Sequence, residues 1–73
     1  MSGQESQFEV TLNGKPHQLR RGATVADLLK SLPSISSGVA VALNETVVPQ
    51  NRWNTTALQD LDRVEVLVPS QGG

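Results

Sequence analysis

The C-terminal residues hold an arrangement that suggests chemistry. The chain ends Pro69-Ser70-Gln71-Gly72-Gly73, and the two glycines carry no Cβ that would hinder entry into a narrow channel of another protein. Fully extended, these residues reach at most about 17 Å. The α-carboxylate of Gly73 has a reference pKa of about 3.5 and is charged at neutral pH. By attacking the α-phosphate of ATP in a partner's active site, it would become an acyl-adenylate, from which a sulfur or amine nucleophile can take the acyl group.

The rest of the sequence lacks residues that many active sites need. It contains no cysteine, no tyrosine and a single histidine, His17, which argues against a Ser/His/Asp triad and against a multi-histidine metal site. We therefore expect no catalytic residues, no metal and no bound cofactor, so that ATP would be used by a partner enzyme. His17 itself is expected to be solvated.

Charge and hydropathy argue against several kinds of partner. Six Lys and Arg against seven Asp and Glu give a net charge of −1, which disfavours nucleic acid and anionic membranes. The longest apolar run, residues 39–43, is too short to cross a bilayer. The lack of cysteine and of a signal-peptide pattern favours the cytoplasm. We expect a cytoplasmic protein that is monomeric when free.

The elements that position the C-terminus start with a predicted hairpin. Phe8, Val10 and Leu12 alternate with polar residues, as in a strand with one buried face. Asn13-Gly14 favours a tight turn into a partner strand over residues 15–19.

A helical period follows the hairpin. Val25, Leu28, Leu29 and Leu32 fall at i, i+3, i+4 and i+7, which predicts a helix ending near Leu32. Thr24 is the predicted N-cap, and Asp27 is three residues further on, as in a capping box.

Three further strands are predicted in the second half of the chain. The continuous apolar run of residues 39–43 predicts the middle strand of the sheet, and Thr46-Val47-Val48 before Pro49 predicts a short edge strand. The last strand carries Val64, Val66 and Val68 on one face. The fold class is therefore α+β: a roll whose mixed sheet of four to five strands has one helix on one face. We expect a disordered polar lead over 1–7, the domain over 8–68 and a flexible tail over 69–73.

Two large apolar side chains of the second half are candidates for different roles. Leu67 falls on the strand face opposite Val64 and Val66, next to the tail, so we predict that it docks an activating enzyme. Trp53 is predicted to pack against the domain, as a lone tryptophan in a small domain usually does; the alternative is an exposed tryptophan that anchors a partner.

Several short stretches, spread over most of the chain after Gln7, together carry a resemblance to a known family. They are Asn13-Gly14-Lys15-Pro16, Thr24-Val25-Ala26-Asp27-Leu28-Leu29, Val41-Ala42-Leu43-Asn44, Val47-Val48-Pro49 with Trp53, Asp62-Arg63-Val64-Glu65 and Gln71-Gly72-Gly73. In their order and spacing the chain resembles the ThiS family of sulfur carriers, small ubiquitin-like β-grasp proteins of thiamine biosynthesis.

The resemblance implies a specific role for the C-terminus. A ThiF-like enzyme would adenylate Gly73 with ATP, and the adenylate would become a thiocarboxylate whose sulfur comes ultimately from a cysteine desulfurase. Gln71 and Gly72 would enter the partner's active site with it. The sulfur would pass to a ThiG-like thiazole synthase.

Two residues depart from the family pattern. Leu61 stands between two aspartates where glycine is usual, so a turn that needs positive φ would be strained there. Glu45 follows Asn44 where Asn-Gly is common, which leaves the type of that turn open.

Other functions are compatible with the same terminus. The chain could be a MoaD-like small subunit of molybdopterin synthase or a carrier for another sulfur metabolite. It could be a ubiquitin-like modifier joined to lysines, or a β-grasp interaction module whose tail has no role.

Overall fold

The computed structural model describes residues 6–32 and 38–68 of the chain. The elements along it are the strand β1 (Gln7–Leu12), the strand β2 (Lys15–Arg20), the helix α1 (Val25–Lys30), the strand β3 (Ala40–Leu43), the strand β4 (Thr46–Val48), a 3₁₀ helix (Gln50–Arg52) and the strand β5 (Arg63–Leu67). β1 begins one residue before the predicted start of the domain, at Gln7. Ser6 of the predicted lead is also described, and its carbonyl accepts from the Arg21 N–H at 2.8 Å. Residues 1–5 and the predicted tail over 69–73 lie outside the described residues.

The strands form one mixed sheet in the order β2-β1-β5-β3-β4. β5 runs parallel to β1 and antiparallel to β3, and the two remaining pairs are antiparallel. The prediction that residues 39–43 form the middle strand was wrong, since β5 holds that place and β3 lies between β5 and β4. Both strands are paired on both sides, so their apolar patterns mark them as interior strands without saying which one is central.

One face of the sheet, here called the inner face, packs against α1. Val10 of β1, Val41 of β3 and Val64 of β5 are almost fully buried there against Val25 and Leu28 of the helix. Burial of such aliphatic side chains is the main favourable contribution to folding. The predicted helical stripe and the predicted inner faces of these strands therefore meet in one core.

Local signals fix the ends of α1. The Thr24 hydroxyl accepts from the Asp27 backbone N–H at 3.2 Å, and the Asp27 carboxylate accepts from the Thr24 backbone N–H at 3.0 Å. This is the predicted capping box. The helix ends at Lys30 with Ser31 as C-cap, so Leu32 lies just beyond it and still packs against the core.

The end of β5 differs from the prediction. Val64 and Val66 are buried as expected, but Val68 is 59% exposed. β5 ends at Leu67, and the alternation between two faces holds a side chain in the core only while the strand stays paired. The expectation that Val68 shares the inner face was therefore wrong.

Candidate functional site

The end of the central strand is the candidate site, because the reactive terminus predicted from the sequence follows it. Leu67 closes β5 and pairs with Ala40 of β3. Its residue surface is 64% exposed, as expected for a side chain opposite Val64 and Val66. Gln71, Gly72 and Gly73 lie outside the described residues, and their roles stay predictions.

An exposed apolar patch surrounds Leu67 on the outer face of the sheet, opposite α1. The register pairs Leu67 with Ala40, and Ala42 with Val47 of β4, so these four side chains share that face. Val47 is 68% exposed. Sequence reasoning missed Val47, although two consecutive valines in a strand must point to opposite faces, so that one of Val47 and Val48 had to face outward.

Charged side chains border this outer-face patch. Glu65 is exposed on β5 and pairs with Ala42. Arg63 donates from Nη2 to the Glu45 carboxylate at 2.7 Å, with both side chains more than half exposed. An ion pair in such a setting contributes about 0–1 kcal/mol. The apolar patch is therefore rimmed by charges that add little to stability and remain available to a partner.

Asparagine side chains from two hairpin turns bind the β5 region. The Asn13 carboxamide accepts from the Val66 N–H at 2.9 Å and donates to the Val66 carbonyl at 3.2 Å. The Asn44 carboxamide accepts from the Arg63 N–H at 2.9 Å and donates to the Asp62 carboxylate at 3.1 Å. β5 is thus held near both of its ends by side chains distant in sequence.

Both asparagines lie in turns with left-handed backbone. Asn13 and Gly14 have φ of 50° and 85°, and Asn44 and Glu45 have φ of 50° and 73°. Positive φ at both central residues is what a type I′ hairpin turn requires. The turn type left open by Glu45 is therefore the type that Asn-Gly would form, with a glutamate in the position that favours glycine.

Leu61 also has left-handed backbone, with φ of 70°, and is 77% exposed. Its N–H donates to the Glu9 carbonyl at 2.7 Å, while the Glu9 N–H donates to the Asp60 carboxylate at 3.0 Å. The Asp62 carboxylate accepts from the Gln59 N–H at 2.8 Å. These contacts hold the turn in a conformation that L-residues other than Asn and Asp rarely adopt, which is the strain expected at this position.

Trp53 has a packing role, as predicted. It is half-buried against the core, and its Nε1 donates to the Val48 carbonyl at 2.9 Å. Its own carbonyl accepts from the Ala26 N–H at 3.0 Å. The side chain therefore joins the 3₁₀ segment to β4, while its backbone meets the first turn of α1.

His17 is less solvated than expected. It is half-buried, because it pairs with Val10 on the inner face of the hairpin. Its Nε2 lies 3.4 Å from the Ser31 hydroxyl. In the described part of the chain, no three His, Cys, Asp or Glu side chains cluster closely enough to hold a metal ion.

One carboxyl of the described residues has a shifted pKa. The backbone N–H and then the hydroxyl of Thr24, both donating to Asp27, lower the pKa of that side chain. Because this interaction belongs to the N-cap of α1, the shift reflects helix capping.

None of the helices in the described ranges has the length and apolar character needed to cross a bilayer.

Comparison with known proteins identifies the family. The sequence profile of the ThiS family matches residues 10–73. The chain belongs to the ThiS family. The sulfur carrier protein ThiS of Escherichia coli is 31% identical over 66 residues, which are 90% of this chain and all of that protein.

Two further relatives of this ThiS-family chain differ in size. The crystal structure of the thiamine biosynthesis protein ThiS from Geobacter metallireducens superposes with a TM-score of 0.77 at 32% identity, covering 90% of this chain and 100% of that one. This confirms the predicted ubiquitin-like β-grasp fold. A thiazole synthase of Magnetococcus marinus is 35% identical over 66 residues, which are 90% of this chain and 20% of that protein.

Proposed function

We propose that this chain is a sulfur carrier of thiamine biosynthesis that works through the carboxyl group of Gly73. The observation that carries the proposal is the ThiS-family match, which extends from the first strand through residue 73. The relative from Escherichia coli is a sulfur carrier protein, and the one from Geobacter metallireducens is a thiamine biosynthesis protein. Both are covered over their full length.

The chemistry takes place in partners' active sites. In a ThiF-like enzyme, a Gly73 carboxylate oxygen attacks the α-phosphate of ATP and displaces pyrophosphate, which leaves an acyl-adenylate. A sulfur nucleophile, whose sulfur comes ultimately from a cysteine desulfurase, then attacks the acyl carbon, and AMP leaves. The attacking atom is the terminal sulfur of a persulfide, so the first product is an acyl disulfide. A thiol of the partner then attacks the donor's sulfur in that disulfide, which releases the Gly73 thiocarboxylate and leaves a disulfide on the partner. The chain itself acts as a co-substrate in these steps and supplies no catalytic residue or cofactor.

The relative from Magnetococcus marinus supports the recipient of the sulfur. A region similar to this chain makes up a fifth of that thiazole synthase. Joining a carrier-like domain to a synthase in one polypeptide keeps the two at high effective concentration. We therefore assign a ThiG-like thiazole synthase as the partner that consumes the thiocarboxylate.

The outer-face patch of Ala40, Ala42, Val47 and Leu67 is the proposed docking surface for the adenylating enzyme. Six residues follow Leu67, and a chain of that length spans at most about 20 Å. An enzyme that takes up the terminus must therefore cover the protein surface close to Leu67. An exposed apolar surface beside the terminus suits such a contact.

A substitution tests the docking surface. Leu67→Asp places a charge in the patch, and kcat/KM for ATP–pyrophosphate exchange by a ThiF-like enzyme should fall about five- to thirtyfold, which corresponds to about 1–2 kcal/mol of lost apolar burial. Leu61→Asp is the matched control, since Leu61 is at least as exposed as Leu67 and lies just before the first residue of β5, at the other end of the strand. Equal kinetics for the two variants would remove Leu67 from the interface.

Intact mass tests the function itself. After incubation with a ThiF-like enzyme, ATP and a sulfur source, the protein should gain the mass difference between sulfur and one carboxyl oxygen. A chain extended by one residue beyond Gly73 should gain nothing. A wild-type chain that stays unmodified would contradict the proposal.

Two experiments distinguish the alternatives. A strain that lacks the gene for this protein should regain growth when thiazole is supplied. If the protein were a subunit of molybdopterin synthase, thiazole would not restore growth. Conjugates on a denaturing gel would indicate a ubiquitin-like modifier, and a carrier should form none with target lysines.

A further inference from the structure

The Asn13 side chain occupies the place of a strand next to the end of β5. β1 pairs with β5 at Thr11 with Arg63 and at Leu12 with Val64, and the Asn13 N–H then donates to the Val64 carbonyl at 2.9 Å. There the backbone turns away into the hairpin with β2. β5 continues, and its next backbone group on that side, Val66, is bonded by the Asn13 carboxamide.

The carboxamide reproduces the hydrogen bonds of a neighbouring strand. Its oxygen accepts from the Val66 N–H at 2.9 Å, and its nitrogen donates to the Val66 carbonyl at 3.2 Å. A longer β1 would have offered Val66 the same kinds of group, a backbone carbonyl and a backbone N–H from two successive peptide units. Asn13 thereby extends the pairing of β5 on the β1 side without lengthening β1.

On its other side β5 is held by β3. The register there ends with Leu67 opposite Ala40, the first residue of β3. Val66 is therefore the last residue of β5 held on the β1 side, by Asn13, and Leu67 is the last residue paired on the β3 side, with Ala40. These two contacts fix the place where the paired part of β5 ends.

We propose that Asn13 is a positioning residue for the reactive terminus: its carboxamide fixes where the chain leaves the sheet, and so the place from which Gly73 enters a partner's active site. This inference rests on the proposed function. Here the two hydrogen bonds of a turn asparagine to the β5 region are called a clamp. Without the Asn13 clamp, the last residues of β5 would have to be ordered each time a partner binds. Ordering the backbone of one residue corresponds to about a five- to thirtyfold change in an equilibrium constant.

Asn44 offers a matched control on the same strand. It has the same φ of 50° at the equivalent place in a type I′ turn. Its carboxamide likewise makes two hydrogen bonds, but to Arg63 and Asp62 at the start of β5. Glycine tolerates positive φ, so Asn13→Gly and Asn44→Gly each remove a clamp and leave the turn in place.

The experiment compares the two variants in ATP–pyrophosphate exchange with a ThiF-like enzyme. We expect kcat/KM to fall about five- to thirtyfold for Asn13→Gly and to change less than about twofold for Asn44→Gly. The two variants should have similar thermal midpoints of unfolding, so that a difference in stability does not explain the difference in kcat/KM. Asn13→Asp keeps an acceptor for the Val66 N–H and loses the donor to its carbonyl, so its kcat/KM should fall between those of the parent and Asn13→Gly. Equal losses for both glycine variants, or kcat/KM at the parent value in both Asn13 variants, would overturn the inference.

Amide hydrogen exchange of the isolated protein gives a readout independent of the enzyme. In Asn13→Gly the Leu67 amide should exchange faster, while in Asn44→Gly it should exchange at the parent rate. Unchanged Leu67 exchange in Asn13→Gly would contradict the inference even where activity fell. If the parent chain is not adenylated at all, the proposed function fails, and the exchange data still decide whether Asn13 fixes the end of β5.

Discussion

Replacing Leu61 should reveal the strain in the turn before β5. Leu61 has φ of 70° and is 77% exposed. Left-handed backbone destabilises an L-residue by about 1–2 kcal/mol, because its Cβ approaches the following carbonyl oxygen. Glycine escapes this strain, but it loses more backbone entropy on folding than alanine, about 0.5–1 kcal/mol. Leu61→Gly should therefore be more stable than Leu61→Ala by about 0.5–1 kcal/mol. This is the strain relieved minus the entropy lost, each taken at the middle of its range.

Comparison with alanine isolates the backbone effect. Both variants lose the leucine side chain beyond Cβ, so any apolar contact of Leu61 cancels between them. Val47 supplies the reverse case, because it is also largely exposed but lies in β4 and has no positive φ. There glycine should be less stable than alanine by about 0.5–1 kcal/mol. The sign of the glycine-minus-alanine difference should change between the two sites.

Urea unfolding followed by the fluorescence of the single tryptophan, Trp53, measures these differences. For a domain of this size 1 kcal/mol corresponds to about 4–8 °C in Tm, so thermal scans resolve the same effect. The reasoning is refuted if Leu61→Gly unfolds at lower urea concentration than Leu61→Ala. It is also refuted if the two sites show the same sign, since a general effect of glycine would then explain both.

The remaining predictions concern α1 and Trp53. Hydrogen bonds from Thr24 lower the pKa of Asp27 in the folded protein, so the carboxylate stabilises the fold above its unfolded pKa of about 4, and this contribution is lost as pH falls through the folded pKa. Asp27→Asn should therefore flatten the acid limb of stability against pH, and a limb as steep as the parent's would contradict the assignment. Trp53→Phe removes the donor to the Val48 carbonyl and should destabilise the domain by about 1–3 kcal/mol. Because this variant has no tryptophan, its urea titration is followed by far-UV circular dichroism alongside the parent, and no change would mean that water replaces the indole N–H.

Local elements of this fold could be predicted from the sequence because their causes are local. The Asn13-Gly14 pair specifies its own turn through positive φ. Thr24 and Asp27 satisfy the first turn of α1 from within four residues. The period of two in β1 and β5 gave the buried faces of both strands, as far as the strands extend. Val68 was misplaced because the pattern of valines does not show where pairing stops.

The order of the sheet could not be predicted from such patterns. β1 and β5 pair across a separation of about 50 residues, and apolar periodicity gives the face of a strand without its neighbours. The same limit applied to the candidate site. Leu67 was found because it alternates with Val64 and Val66, whereas the contact between Asn13 and Val66 has no local signature, since it joins a turn to a strand 53 residues away.

The central place of β5 ties presentation of the terminus to complete folding. β1 and β3 have no pairing with each other in the sheet order, so β5 is the strand that joins the two hairpins. It also contributes Val64 and Val66 to the core. A chain cut before Arg63 would lose both the junction and these buried side chains, and would unfold instead of behaving as a carrier without a tail. A cut after Val68 keeps every strand pairing described here, and is therefore the truncation that separates loss of the reactive carboxylate from loss of the fold.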